Sequence, residues 1–189
     1  MSDLPALSRQ NKKDEIVRRL QNGADINERN EYGQTALYWA CFCNFTEIVE
    51  ILLQNNEINV NLKSNGENSP FSWACANYQY ASALLMLRDT RVDVDLDDKK
   101  GWSPFMYACY YGNTKIVQLL LSYGRNIDVY KKTTKDGYDY YGIKFGSTPL
   151  DVAKQRNRAD IVQLLQQYQN NPKETQKTLR NQLNLNGKK

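Results

Sequence analysis

The side chains in this chain that could act as nucleophiles, bases or metal ligands are four cysteines, a run of aspartates and a segment dense in lysine and tyrosine. Cys41, Cys75 and Cys109 sit 34 residues apart, and Cys43 stands outside that spacing. No C-x-x-C pair of the kind that zinc or a redox disulfide uses is present. Asp93, Asp95, Asp97 and Asp98 alternate like a fragment of a calcium loop. The glycine and distal glutamate that such a loop needs do not follow, so the run reads as a solvated loop face. There is no histidine, which removes the commonest general base and the commonest metal ligand. P-loop, GxGxxG and GxSxG patterns are also missing. The expectation is therefore no catalytic residue, no metal site and no cofactor. Asn44-Phe45-Thr46 spells a glycosylation acceptor, but no secretory signal precedes it and it reads as chance.

The interval that separates the cysteines belongs to the whole chain. Ala40, Ala74 and Ala108 share it, as do Leu37, Phe71 and Phe105, and Trp39, Trp73 and Tyr107. Regularly recurring residue types are packing positions, and a fixed period of this size means one supersecondary unit copied along the chain. Each copy opens with a turn and a hydroxyl–small–apolar phrase: Thr35-Ala36-Leu37, Ser69-Pro70-Phe71, Ser103-Pro104-Phe105 and Thr148-Pro149-Leu150. The hydroxyl caps free N–H groups, and proline is tolerated in a first helical turn. Second apolar runs follow at Glu47–Leu53, Ala83–Leu87, Lys115–Leu121 and Asp160–Leu165, each with helical spacing. Extended phrases such as Ile58-Asn59-Val60-Asn61 and Val92-Asp93-Val94-Asp95 close the internal copies.

Turn, helix, helix and extended loop at this period resemble the ankyrin repeat, whose signature phrase is best matched by Thr148-Pro149-Leu150 and whose closing phrase is matched by Asn22-Gly23-Ala24-Asp25-Ile26-Asn27. The resemblance implies an all-α fold, an ankyrin-repeat solenoid of helix-turn-helix units joined by hairpin-like finger loops. The resulting division is an N-terminal tail at 1–11, an array at 12–168 and a polar C-terminal tail or short helix at 169–189. Within the array fall a half-repeat at 12–30 and repeats at 31–64, 65–98, 99–143 and 144–168. The departures from the family pattern matter. Its usual histidine is replaced by Tyr38, Ser72, Met106 and Asp151, which implies one lost hydrogen bond per repeat. Glu67 stands where the other copies have glycine, so the turn of repeat two is expected to be altered and that repeat to be the weakest. On the family's geometry the three periodic cysteines lie one repeat apart, too far for a disulfide, and act as small buried hydrophobes. Cys43 is expected near a helix end, partly exposed.

At 189 residues with no apolar run near the length of a membrane span, the expectation is a monomer in the cytoplasm or nucleus. Charge is uneven: residues 32–98 hold three basic and nine acidic residues, and 99–189 hold sixteen basic and six acidic. Between Phe105 and Leu150 the step is 45 residues instead of 34, which places an insertion near 130–145 rich in Lys and Tyr. Tyr138, Tyr140 and Tyr141 there either grip a partner or pack on a tolerated loop expansion.

The resemblance also implies a concave binding surface of fingers and first helices. Tyr32, Gln34, Asn68, Lys100, Trp102 and Phe145 take finger positions, and Phe42, Asn77, Tyr110 and Tyr111 the ends of first helices. The recurring Trp39, Trp73 and Tyr107 read as partial packing. Tyr32, Trp102, Tyr110 and Tyr111 do not recur and read as partner contacts. Two functional readings follow. One is a non-enzymatic protein-binding scaffold or adaptor. The other is nucleic-acid binding through the basic C-terminal half and the Tyr/Lys insertion.

Overall fold

Backbone N–H groups at a helix start need acceptors, and the hydroxyl-bearing phrases supply them. In the computed structural model, which describes residues 3–134 and 142–185, Thr35 and Ser69 each accept from the amide three residues on at 3.1 Å. Ser103 does so at 3.2 Å and Thr148 at 3.3 Å. These caps start α3 (Ala36–Cys43), α5 (Pro70–Ala76), α7 (Pro104–Tyr111) and α9 (Pro149–Gln155). The missing family histidine is partly made good. Ser72 Oγ donates to the Ser69 carbonyl at 2.8 Å, and Asp151 accepts from the Thr148 amide at 3.0 Å to complete a capping box. Asp3 caps α1 (Leu4–Arg9) in the same way, accepting from Ala6 N at 2.7 Å.

Residues 3–11, read above as tail, are thus the first helix of the array, with Leu4 and Leu7 buried against α3. Its end matches the others. Asn11, Asn44, Tyr78, Gly112 and Asn157 all take left-handed φ between 55° and 82°. The next amide in each case reaches back to Leu7, Ala40, Ala74, Ala108 or Ala153, which reverses the chain into a second helix. Those second helices are α2 (Lys13–Gln21), α4 (Thr46–Leu53), α6 (Tyr80–Arg88), α8 (Thr114–Tyr123) and α10 (Ala159–Asn170). Among the described residues there are eleven helices and no strand. First helices stack on first helices and second on second, with the first layer packed more closely, so the stack curves toward it.

The finger turns share one pattern, closed by bonds from Asn30, Ser64, Asp98 and Thr133 amides to the carbonyls of Gln34, Asn68, Trp102 and Ser147. Their tips need φ > 0, and Gly33, Gly101 and Gly146 supply it. Glu67 supplies it too, at φ 65°, so the turn of repeat two keeps its shape instead of being altered. The effect appears between fingers. Gly33 has no Cβ to block Asn65, whose amide donates to the Tyr32 carbonyl at 2.9 Å, and Gly101 admits Thr134 to the Lys100 carbonyl at 3.1 Å. No such backbone bond joins the second and third fingers, where Glu67 stands. The Tyr107 hydroxyl spans that gap, 2.9 Å from Asp98 Oδ2 and 3.1 Å from Asn68 Oδ1.

The long loops are laced by side chains 34 residues apart. Asn27 accepts from Asn59 N at 2.8 Å and donates to Glu57 O at 2.9 Å. Asn61 repeats this with Asp93 N at 2.9 Å and Arg91 O at 2.8 Å. Asp95 takes the third place and accepts from Asp128 N at 3.0 Å, but a carboxylate has no N–H to return. Burial pushes its carboxyl above the ordinary range. The other aspartates of that run are also engaged within the loops: Asp93 accepts from Asp95 N, Asp97 pairs with Lys131, and Asp98 holds Lys100 N and Trp102 N.

A third ladder is made of arginines. Arg91 donates to the Leu53 and Asn55 carbonyls, and Arg125 to those of Leu87, Asp89 and Val92. The next set, at the end of α8, is met by Arg180 of α11 (Pro172–Gln182), which donates to Ser122 O at 2.7 Å. The segment after residue 168 therefore folds back as a helix over α8 and α10, with Leu179 buried beneath it.

Two predictions follow from this geometry. Glu67→Gly relieves a left-handed side chain and opens the second finger to the third, and should stabilise the chain by about 1 kcal/mol in urea unfolding. A loss of stability would contradict it. Asp95→Asn restores the missing donor and removes a half-buried charge, and should add about 1 kcal/mol at neutral pH. The penalty of a raised carboxyl is present above its folded pKa and absent below the unfolded one, so this gain should shrink as pH falls.

Candidate partner-binding face

Close stacking of the first helices sends large side chains either into the core or to the side away from the second layer. The helices α3, α5 and α7 carry no charged residue between them. What they present is aromatic. Trp39 and Trp73 both meet Phe42 edge-on at 5.5 Å, and Tyr38 lies edge-on to each tryptophan at 5.7 and 6.2 Å. Further along, Tyr107 stacks on Tyr111 at 6.5 Å, and Tyr110 meets Tyr111 edge-on at 5.0 Å. Trp39, Phe42, Trp73 and Tyr111 are half-buried.

Arginines close the strip at both ends. The Arg9 guanidinium lies 4.8 Å from the Trp39 ring centre and that of Arg156 lies 4.5 Å from the Tyr110 ring. At the first end a recess of ≈ 670 Å³ is lined by α1, the first finger and Trp39, with Arg9, Glu31, Tyr32 and Gln34 among its walls. At the other end Lys132, Lys144, Lys154 and Arg156 are all exposed on the fourth finger and around α9. Most carboxylates of the acidic middle lie elsewhere, with Glu67 at the tip of the second finger and Asp98 in the third. Glu47 and Glu50 sit on α4, and Glu57, Asp89, Asp93 and Asp95 in the long loops.

The expected contact residues fall into several groups. Tyr32 is 61 % exposed beside the recess, and Phe42 and Tyr111 belong to the strip. Trp102 is 0 % exposed: it turns inward from its finger to pack on Tyr107 and Tyr110 at 5.3 and 5.4 Å, so its reading as a partner contact is withdrawn. Tyr110 is buried as well, under Arg156. Gln34, Asn68, Asn77 and Lys100 are half-buried. Three of these serve the array: Gln34 accepts from Asn30, Asn68 donates to the Gly66 carbonyl, and Asn77 donates to the Trp73 carbonyl. Tyr138, Tyr140 and Tyr141 lie outside the described residues, while Phe145 beside them is exposed.

Four contributors were missed. Trp39 and Trp73 recur with the period, which hid their partial exposure. Arg9 lay in the segment taken for a tail. Tyr78 is 57 % exposed in a left-handed conformation, with its hydroxyl donating to the Tyr111 carbonyl. Its alignment with Asn44 and Gly112 was the available signal, because those residue types mark φ > 0.

Cys41, Cys75 and Cys109 are fully buried between helices, and burial holds their thiols far above the ordinary range. Cys43 is half-exposed on the strip, where burial also raises its thiol and Arg9 opposes that. Ellman's reagent should therefore titrate one thiol in the native protein, absent in Cys43→Ser, and the other three only on unfolding.

No individual curated protein matches the sequence. The profile described as ankyrin repeats (3 copies) matches residues 6–98 and 71–178, most of the chain. Repeats of this family are generally protein–protein interaction modules and typically non-enzymatic. Together with the stacked helix pairs, fingers and extended loops, the match makes this chain a member of the ankyrin-repeat family.

Proposed function

We propose that this chain is a non-catalytic scaffold or adaptor that binds a protein partner through the concave strip of first helices and the adjoining fingers. One observation carries the reading: three successive first helices, α3, α5 and α7, bear no charge and hold Trp39, Phe42 and Trp73 half-buried in ring-to-ring contact. Such rings gain from leaving water and lose little side-chain freedom, which is why aromatics concentrate binding energy. Three buried free thiols suit a reducing compartment, so the cytoplasm or nucleus is the proposed location. A nuclease-treated pull-down with the intact chain and with Tyr32→Ala/Phe42→Ala/Tyr111→Ala, checked for folding by circular dichroism, tests the proposal. Proteins retained by the first and lost by the second are expected. Identical recovery by both would overturn the concave-face reading, and retention only when nuclease is omitted would put nucleic acid in its place.

A further inference from the structure

The concave face differs between its ends. At the fourth repeat Lys132, Lys144, Lys154 and Arg156 are exposed, and among the described residues none forms an ion pair. They gather on one patch. The Lys144 amide donates to Gln155 on α9 at 3.2 Å, and Lys132 and Lys154 both act on Asp151. That aspartate is the one carboxylate of α9, and it is occupied in capping Thr148. At the first repeat the cations Arg9 and Arg29 are matched in number by Glu28 and Glu31, and Arg9 and Glu31 line the same recess, so no comparable excess exists there. Between the two ends lie the uncharged helices and their half-buried rings.

We infer that this face takes an extended peptide in one direction, with a cluster of carboxylates over the fourth finger and α9 and apolar side chains over Trp39, Phe42 and Trp73. The inference rests on the concave-face reading above and names its partner's chemistry. Three helix steps of about 8–10 Å separate α9 from α3, and an extended chain covers them in about eight residues. The acidic cluster and the far apolar anchor are therefore about eight residues apart, in a fixed order along the array. A nucleic-acid strand fits less well. Its phosphates are evenly spaced, whereas the excess of cations covers one repeat and gives way to uncharged helices and then to the glutamates of the first finger.

The test is selection of a random 16-residue peptide display library on the full chain. Enriched peptides are then titrated against the chain, Lys144→Gln/Lys154→Gln/Arg156→Gln, Phe42→Ala, and Lys115→Gln as a control on the far side of α8. The expected peptides carry Asp and Glu clustered about eight residues from an aromatic or branched apolar residue. Their affinity should fall roughly tenfold on the triple charge variant and on Phe42→Ala, steepen with decreasing salt, and stay unchanged on Lys115→Gln. Peptides without an acidic cluster that bind the triple variant as well as the parent, yet are lost on Phe42→Ala, would overturn this inference and leave the concave-face reading intact. Peptides indifferent to both variants, or no enrichment, would overturn both. An unstructured thymidine 20-mer that displaces the acidic peptides and binds more tightly would assign the basic patch to nucleic acid and overturn the inference.

Discussion

The structure depends on how closely the first helices approach one another, and one small residue per helix sets that distance. Ala40, Ala74, Ala108 and Ala153 have no exposed surface. Helix axes approach only as far as the side chains between them allow. Alanine at this place, with cysteine beside it in three copies, keeps the first layer tighter than the second and bends the stack. The same closeness forces every large side chain of that layer either into the core, as with Phe71 and Phe105, or out to the concave side, as with Trp39 and Phe42. The aromatic strip is thus a by-product of the packing that makes the array.

Much of this was legible in the sequence because each repeat is a local unit. The hydroxyl caps, the apolar second helices and the family itself could be read from the spacing of a few residue types. What escaped depended on contacts between units or on single side-chain choices. Trp102 looked free because it does not recur, but its indole packs on tyrosines of the helix that follows its finger. Glu67 looked like a broken turn. The backbone paid the left-handed strain, and the loss fell on the neighbouring finger. The N-terminal helix escaped because Asp3-Leu4-Pro5 lacks the hydroxyl phrase, although its end at Asn11 follows the rule of the other copies.

Charge is sorted by layer as well as along the chain. Read linearly, the middle of the sequence is acidic and the end basic. In three dimensions much of the acid sits on α4 and in the long loops, where Asp89 holds Arg91 and Asp97 holds Lys131. The first helices in the middle of the concave face are left neutral and aromatic, and the basic patch at the fourth repeat has Asp151, held in its cap, beside it. Loop side chains lace neighbouring repeats together, and the first layer adds the Tyr107 hydroxyl on Asn68, the Tyr78 hydroxyl on Tyr111 and Gln79 on the Phe42 carbonyl.

The concave strip as the partner's seat is the central claim, and tryptophan accessibility tests it most directly because the three indoles divide by location. Acrylamide quenching would be measured on three single-tryptophan variants, retaining Trp39, Trp73 or Trp102, free and saturated with a bound protein partner. Trp39 and Trp73 should be quenched in the free chain and protected in the complex, with Trp102 shielded in both. A saturated complex in which Trp39 and Trp73 remain as accessible as in the free chain would contradict the account.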